Sequence, residues 1–416
     1  MTPTARPALQ SLDAALESLL AQAMPLDGPE RVPTLQADGR VLAEDVVSAL
    51  HVPPMDNSAM DGYAMRCADV LAAGTVLPVS QRIAAGAVGM QLAVGTAARI
   101  FTGAPIPPGA DAVVMQEECT ALPGAIGDDA ARVQLNVLPK LGQAIRRAGE
   151  DVARGQTVLA RGMRLGPAEL GLAAGIGRAD LLVARKPRVA LFSTGDELVM
   201  PGTVAPEDMP PGAIYNSNRF FLNTLLTRIG CEVRDMGIVP DDRAATEAAL
   251  REAAASSDLI LTSGGVSVGE EDHIKPAVQA LGRLDLWQIA IKPGKPFAYG
   301  QVGAAHFVGL PGNPVSSYVT FLVLVRPFLL RLQGMQDVAM KTVAARADFA
   351  WPRADKRQEF LRVRRNAQGG LDLFANQGSG VLTSAVWGDG LVNHPAGKTI
   401  AAGDMVQYIS FAELLA

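Results

Sequence analysis

The chain has 416 residues, 49% hydrophobic and 19% charged, with a net charge of −5. That balance suits a globular protein with room for two to four domains, and it excludes a disordered chain. Without a clustered basic face it gives no reason to expect nucleic acid. The odd, widely spaced Cys67, Cys119 and Cys231 argue against a disulfide framework and fit a reducing compartment.

In chain order, the N-terminus lacks an apolar h-region and carries Asp13 and Glu17, so it does not read as a signal peptide. Leu9, Leu12, Ala15 and Leu19 recur at helical spacing and predict a helix over 8–24. Between 51 and 142, short β-type runs separated by Gly and Pro predict a small β-rich domain. Residues 146–183 read as loop, short strand and amphipathic helix, and are expected to rejoin the N-terminal helix, which makes the β-rich stretch an insertion. From 187 strands alternate with helices: "RVALFSTG", "SNRFFLNTLLTRIG", "EVRDMGIVP", "DRAATEAALREAAASS", "DLILTSGG", "EEDHIKPAVQALG". Such alternation implies a parallel sheet covered on both faces. Further strands are expected at 285–291, 297–301 and 306–310, then a long helix over 314–333. Its apolar run 318–330 is too short for a bilayer and contains Arg326 and Pro327, so a buried helix and no membrane are expected. The tail again shows short strands and turns. The expected division is 1–50 with 143–183 as a discontinuous N-terminal domain, 51–142 inserted, 184–333 a central doubly wound α/β domain, and 334–416 a C-terminal β-barrel-like domain.

Ligands of open α/β sheets bind beyond the carboxyl ends of the strands. There the sequence places Ser193, Thr194, Gly195, Asp196 and Glu197; Asp241 and Asp242; Ser263, Gly264, Gly265 and Ser267; and Pro311, Gly312 and Asn313, with a helix beginning near Ser316. Gly-Ser turns at helix N-termini suit phosphate. The acids Asp196, Glu197, Asp241, Asp242 and Asp272 would repel phosphate without a hard cation, so phosphate with Mg²⁺ reconciles the two sets. "IKPGKP" adds Lys292 and Lys295 on a stiff turn, a receptor for a compact oxyanion. A P-loop, a dinucleotide fingerprint and zinc-ligand spacing are absent from the sequence. In the insertion, "PPMDNSAMDGYAM" is denser in polar groups than a stable turn requires.

Taken in order, "DNSAMDGYA", "TGAPIPPGADAVV", "RRAGED", "STGDEL", "NSN", "TSGGVSVGEEDHIK", "IKPGKPFAYG" and "GLPGNPVSS" resemble the molybdopterin molybdenumtransferase family, the bacterial MoeA proteins and the E domain of gephyrin. The resemblance covers almost the whole chain. It implies a four-domain homodimer whose cleft lies between the α/β domain of one subunit and parts of its partner. The implied reaction takes adenylylated molybdopterin and molybdate, cleaves the pyrophosphate to release AMP, and inserts molybdenum with Mg²⁺ assisting, in the cytoplasm. Other cofactor-biosynthesis proteins and apo-molybdoenzymes are implied partners. Carried over by motif, Asp61, Asp151, Asp241 and Asp272 are the implied catalytic acids, and Glu197, Asp241 and Asp272 the implied metal ligands. The Gly-Ser strand ends, Ser267 included, hold the cofactor. Lys292, Lys295, Pro296 and Ser316, with Arg362 and Ser379 from the tail, are the molybdate-binding residues that the resemblance implies. Gln288 stands where some members carry a lysine. Two other readings compete: adenylylation of molybdopterin, and a scaffold that binds cofactor without turnover. The flanking domains and the "KPGKP" loop favour insertion over the first, and the full set of carboxylates argues against the second.

Overall fold

The computed structural model describes residues 9–123, 131–265 and 273–415. Its centre is a six-stranded sheet in the order Glu232–Val239, Arg188–Thr194, Leu259–Ser263, Ala305–Leu310, Pro296–Val302, Gly282–Gln288. The first four strands run parallel. Leu259–Ser263 is buried at every position, as a strand between two helix layers must be. Val189 and Leu191 face helices Ser217–Arg228 and Pro314–Leu332, whereas Ala190 and Phe192 face Arg243–Ala254 and Ile274–Leu281. This alternation follows from the period of two along a strand.

The last two strands, for which the sequence reading gave no direction, pair antiparallel. Only Gly303 and Ala304 separate Pro296–Val302 from Ala305–Leu310. A two-residue link can only reverse the chain, since a parallel return needs a crossover of about a dozen residues.

Pro314–Leu332 has 19 residues and enough apolar character to span a membrane by length and composition, more than its apolar run alone suggested. It is instead a core helix, with 89% of its most apolar window buried. Helix Leu12–Leu20 packs its Leu12, Ala15 and Leu19 stripe into this same core, rather than with the residues that return after the insertion. What those residues rejoin is the following segment: Asp180–Val183 pairs with Glu30–Pro33, and Thr157–Leu159 with Val46–Val47. Leu42, Val46, Leu159, Leu165 and Val183 form a core of their own. The intervening chain builds a second six-stranded sheet from strands between Gly62 and Leu135.

In the tail, Gln358–Arg365 pairs with both Gly370–Leu373 and Gly390–His394, closing a five-stranded barrel with Val343–Ala347 and Met405–Ser410. Ile291–Lys292 extends it as a short edge strand alongside Gln358 and Glu359.

Candidate functional site

The strand ends open onto a cleft of about 560 Å³. Three parallel strands deliver Ser193–Gly195, Ser263–Gly265 and Pro311–Asn313 to it, and Glu197, Asp241, Pro296 and Ser316 complete its expected lining. The described residues assigned from sequence to cofactor thus share one cavity with Pro296 and Ser316 of the oxyanion set. Ser267 and Asp272 lie outside the described residues.

The floor is built so that backbone approaches backbone. Gly264 and Gly265 have φ of +94° and +65°, and a Cβ on Gly264 would sit 2.9 Å from the Thr194 carbonyl oxygen. Either site is strained for any other residue. Gly264 N–H donates to the Leu310 carbonyl at 3.1 Å, joining two adjacent strand ends.

Asn218, without an assigned role in the sequence reading, fixes this floor. Its Nδ2 donates to Ser263 Oγ and to the Gly312 carbonyl, both at 2.7 Å. Asn216 caps the same helix by accepting from Arg219 N–H at 3.2 Å. The available signal was three consecutive polar residues at the start of a helix on the ligand edge of the sheet. Ser193, Asn216 and Asn218 are 1%, 2% and 7% exposed. Yet Ser193 Oγ, Asn216 Nδ2 and Asn218 Oδ1 have no hydrogen-bond partner among the described residues. Burying polar atoms unpaired costs about 1–3 kcal/mol each. All three residues line the cleft. Leu198, Ile214 and Tyr215 add apolar lining to the cleft.

Residues 10–177 match the family described as MoeA N-terminal region (domain I and II). Residues 190–331 match a probable molybdopterin binding domain, and 344–411 the MoeA C-terminal region (domain IV). The chain is 43% identical to a molybdopterin molybdenumtransferase of Haemophilus influenzae over 79% of its own length and 78% of that protein's. It is 37% identical to one from Synechococcus elongatus over 95% and 98% of the two chains. The chain belongs to the MoeA family. A molybdopterin biosynthesis moeA protein from Pyrococcus horikoshii has the same fold, with a TM-score of 0.84 at 29% identity, covering 97% of this chain and 100% of that one.

Other assigned residues of this MoeA-family chain lie outside the cleft lining. Asp61 accepts from Thr102 N–H at 2.8 Å and from its hydroxyl at 2.7 Å, and these bonds hold its carboxyl below the usual range. Asp151 sits on the stretch that pairs back onto the Asp61 loop, where Ile145 faces Ser58 and Arg146 faces Asn57. Arg147 is 2.6 Å from Asp56, binding the two motifs together. Asp61 and Asp151 are therefore carried by one composite loop of the insertion and its return.

The two lysines of "KPGKP" differ in their surroundings. Lys292 Nζ pairs with Glu359 at 2.9 Å and with Asp355 at 3.4 Å. Lys295 is exposed and has no ion pair among the described residues. Arg362 is buried, donating to Ser384 Oγ, the Phe360 carbonyl and the Gly378 carbonyl; burial pulls it down to about 10. Next to Gly378, the Ser379 carbonyl accepts from Val315 N–H at 2.9 Å, bringing the tail to the helix that carries Ser316. Among the described residues no group of three or more His, Cys, Asp or Glu side chains is placed to hold a metal. Glu197 and Asp241 are two carboxylates on the cleft, a hard-oxygen set that fits Mg²⁺ when substrate oxygens complete the shell.

Proposed function

We infer that this chain is the molybdopterin molybdenumtransferase of molybdenum cofactor biosynthesis, and that it takes adenylylated molybdopterin and molybdate as its substrates. The observation that carries this reading is the cleft itself: buried Ser193, Asn216 and Asn218 with unpaired polar atoms around a glycine floor. Backbone N–H groups and hydroxyls suit phosphate oxygens, and the Leu198, Ile214 and Tyr215 lining suits a flat heterocycle.

Asn218 holds the Ser263 and Gly312 strand ends at a fixed separation, so the pyrophosphate is seated without rearrangement. Glu197 and Asp241 would hold Mg²⁺, whose charge offsets that developing on the phosphate oxygens. Cleavage adds a water oxygen to one phosphorus of the bridge as its bridging P–O bond breaks, leaving AMP and molybdopterin phosphate, with the water protons passing to the phosphate products or to solvent. Lys295, Pro296 and Ser316 place molybdate beside it. Asp61 and Asp151 act from the composite loop of a second subunit in a homodimer. Other cofactor-biosynthesis proteins and apo-molybdoenzymes are the proposed protein partners, in the cytoplasm.

The test mixes the purified chain with molybdopterin-AMP, Mg²⁺ and molybdate, and follows AMP together with reconstitution of an apo-molybdoenzyme. Both should appear. Tight binding without AMP would indicate a scaffold, and molybdopterin-AMP formed from ATP and molybdopterin would indicate the adenylylation step instead.

A further inference from the structure

Glu359 lies on the Gln358–Arg365 strand of the C-terminal barrel and is 1% exposed. A carboxylate so buried needs partners. Among the described residues it has two: the Trp351 indole Nε1–H donates to Oε2 at 2.8 Å, and Lys292 Nζ meets Oε1 at 2.9 Å. Lys292 also lies 6.0 Å from the centre of the Trp351 ring. The second acid near Lys292, Asp355, is already held by the Arg357 guanidinium through two contacts of 3.1 and 3.0 Å. Glu359 is thus the main anchor of Lys292.

The backbone repeats the link. Lys292 stands opposite Glu359 in a parallel bridge, and Gln358 N–H donates to the Ala290 carbonyl at 2.9 Å. On its other side the loop presses Gly294, at φ +113°, against Thr320 of the core helix, where a Cβ would collide with the hydroxyl. The segment carrying Lys295 and Pro296 is therefore clamped between barrel and helix, and its shorter ionic fastening is Glu359, at 2.9 Å from Lys292 against 3.4 Å for Asp355.

We propose that Glu359 is a positioning residue of the transferase: by anchoring Lys292 to the barrel it sets where the 292–296 loop presents Lys295 to molybdate. Glu359 does not touch the oxyanion. It acts through the lysine and the strand beside it, so the C-terminal barrel controls oxyanion affinity from behind the loop. The proposal rests on the reading of this loop as the molybdate site.

The experiment measures half-saturating molybdate and kcat for AMP release, with thermal midpoints, in the full-length wild type and in Glu359→Gln, Glu359→Asp, Trp351→Phe and Lys295→Ala. Glu359→Gln keeps the shape and removes the ionic anchor. Half-saturating molybdate should rise about 10-fold, with kcat at saturation within about twofold of wild type, as expected for a loss of binding alone. Glu359→Asp should recover part of the shift. Trp351→Phe leaves the charge pair and removes only the indole bond, and should move half-saturation the same way by less. Should Glu359→Gln fail to fold, the Trp351→Phe result decides. An unchanged molybdate requirement in a folded Glu359→Gln, or in Trp351→Phe in its absence, overturns the proposal. Lys295→Ala separates the two levels: if it shifts the molybdate requirement while the Glu359 and Trp351 variants do not, only the positioning role falls. If Lys295→Ala itself leaves the requirement unchanged, the loop is not the oxyanion site and both fall.

Discussion

Replacing Asn218 tests whether the glycine floor is the phosphate seat. Asn218→Ala removes two buried bonds, to Ser263 Oγ and the Gly312 carbonyl. At about 0.5–1.5 kcal/mol each the loss is about 2 kcal/mol, or about 4–8 °C in Tm for a unit of 150–250 residues. Asn218→Asp keeps the outline but replaces a donor facing the Gly312 carbonyl with an acceptor, and adds a negative charge to the cleft. Against a phosphate about 4 Å away, at an effective dielectric near 20, that charge costs about 4 kcal/mol, or nearly three decades of affinity. Calorimetric titration with molybdopterin-AMP should therefore rank wild type above Ala, and Ala far above Asp, with both variants folded by circular dichroism. An Asp variant that is folded and binds as tightly as wild type would refute the placement of phosphate on this floor.

Gly264→Ala should cost about 1–2 kcal/mol from its left-handed backbone alone and more from the Thr194 carbonyl, with cofactor binding lost well before the fold; denaturant melts and cofactor titration separate the two. Asp258 is pushed up by burial, but bonds from Arg185 and from the Arg188 N–H and guanidinium outweigh this and hold it at about 2. Because its folded value lies below the unfolded one, its contribution is present above about pH 4 and fades toward pH 2; Asp258→Asn should remove about 2 kcal/mol at neutral pH and flatten the acid limb of stability. In the proposed two-chain cleft, mixing Asp61→Ala with Lys295→Ala should restore partial AMP release once subunits exchange, and no recovery after confirmed exchange would rule that cleft out.

The sequence alone determined the local features. In a run such as "RVALFST" the stretch Val189–Phe192 is apolar because both faces are covered, and the polar and glycine residues that end each such run fall on one edge by the geometry of parallel strands. That made Ser193–Gly195, Ser263–Gly265 and Pro311–Asn313 legible as one site. Periodicity reports an element and which face is apolar, but not what that face meets. The Leu12–Leu20 stripe therefore could not announce that it packs on the α/β core, nor Asn218 that its amide bridges two strand ends. The lysine turn shows the limit most plainly. From "IKPGKP" the two ammonium groups are equivalent, and only the closing of the barrel, which brings buried Glu359 beside the loop, binds Lys292 and leaves Lys295 exposed. Charge partners distant in sequence are chosen by burial, because a carboxylate removed from water must find a cation wherever the fold supplies one.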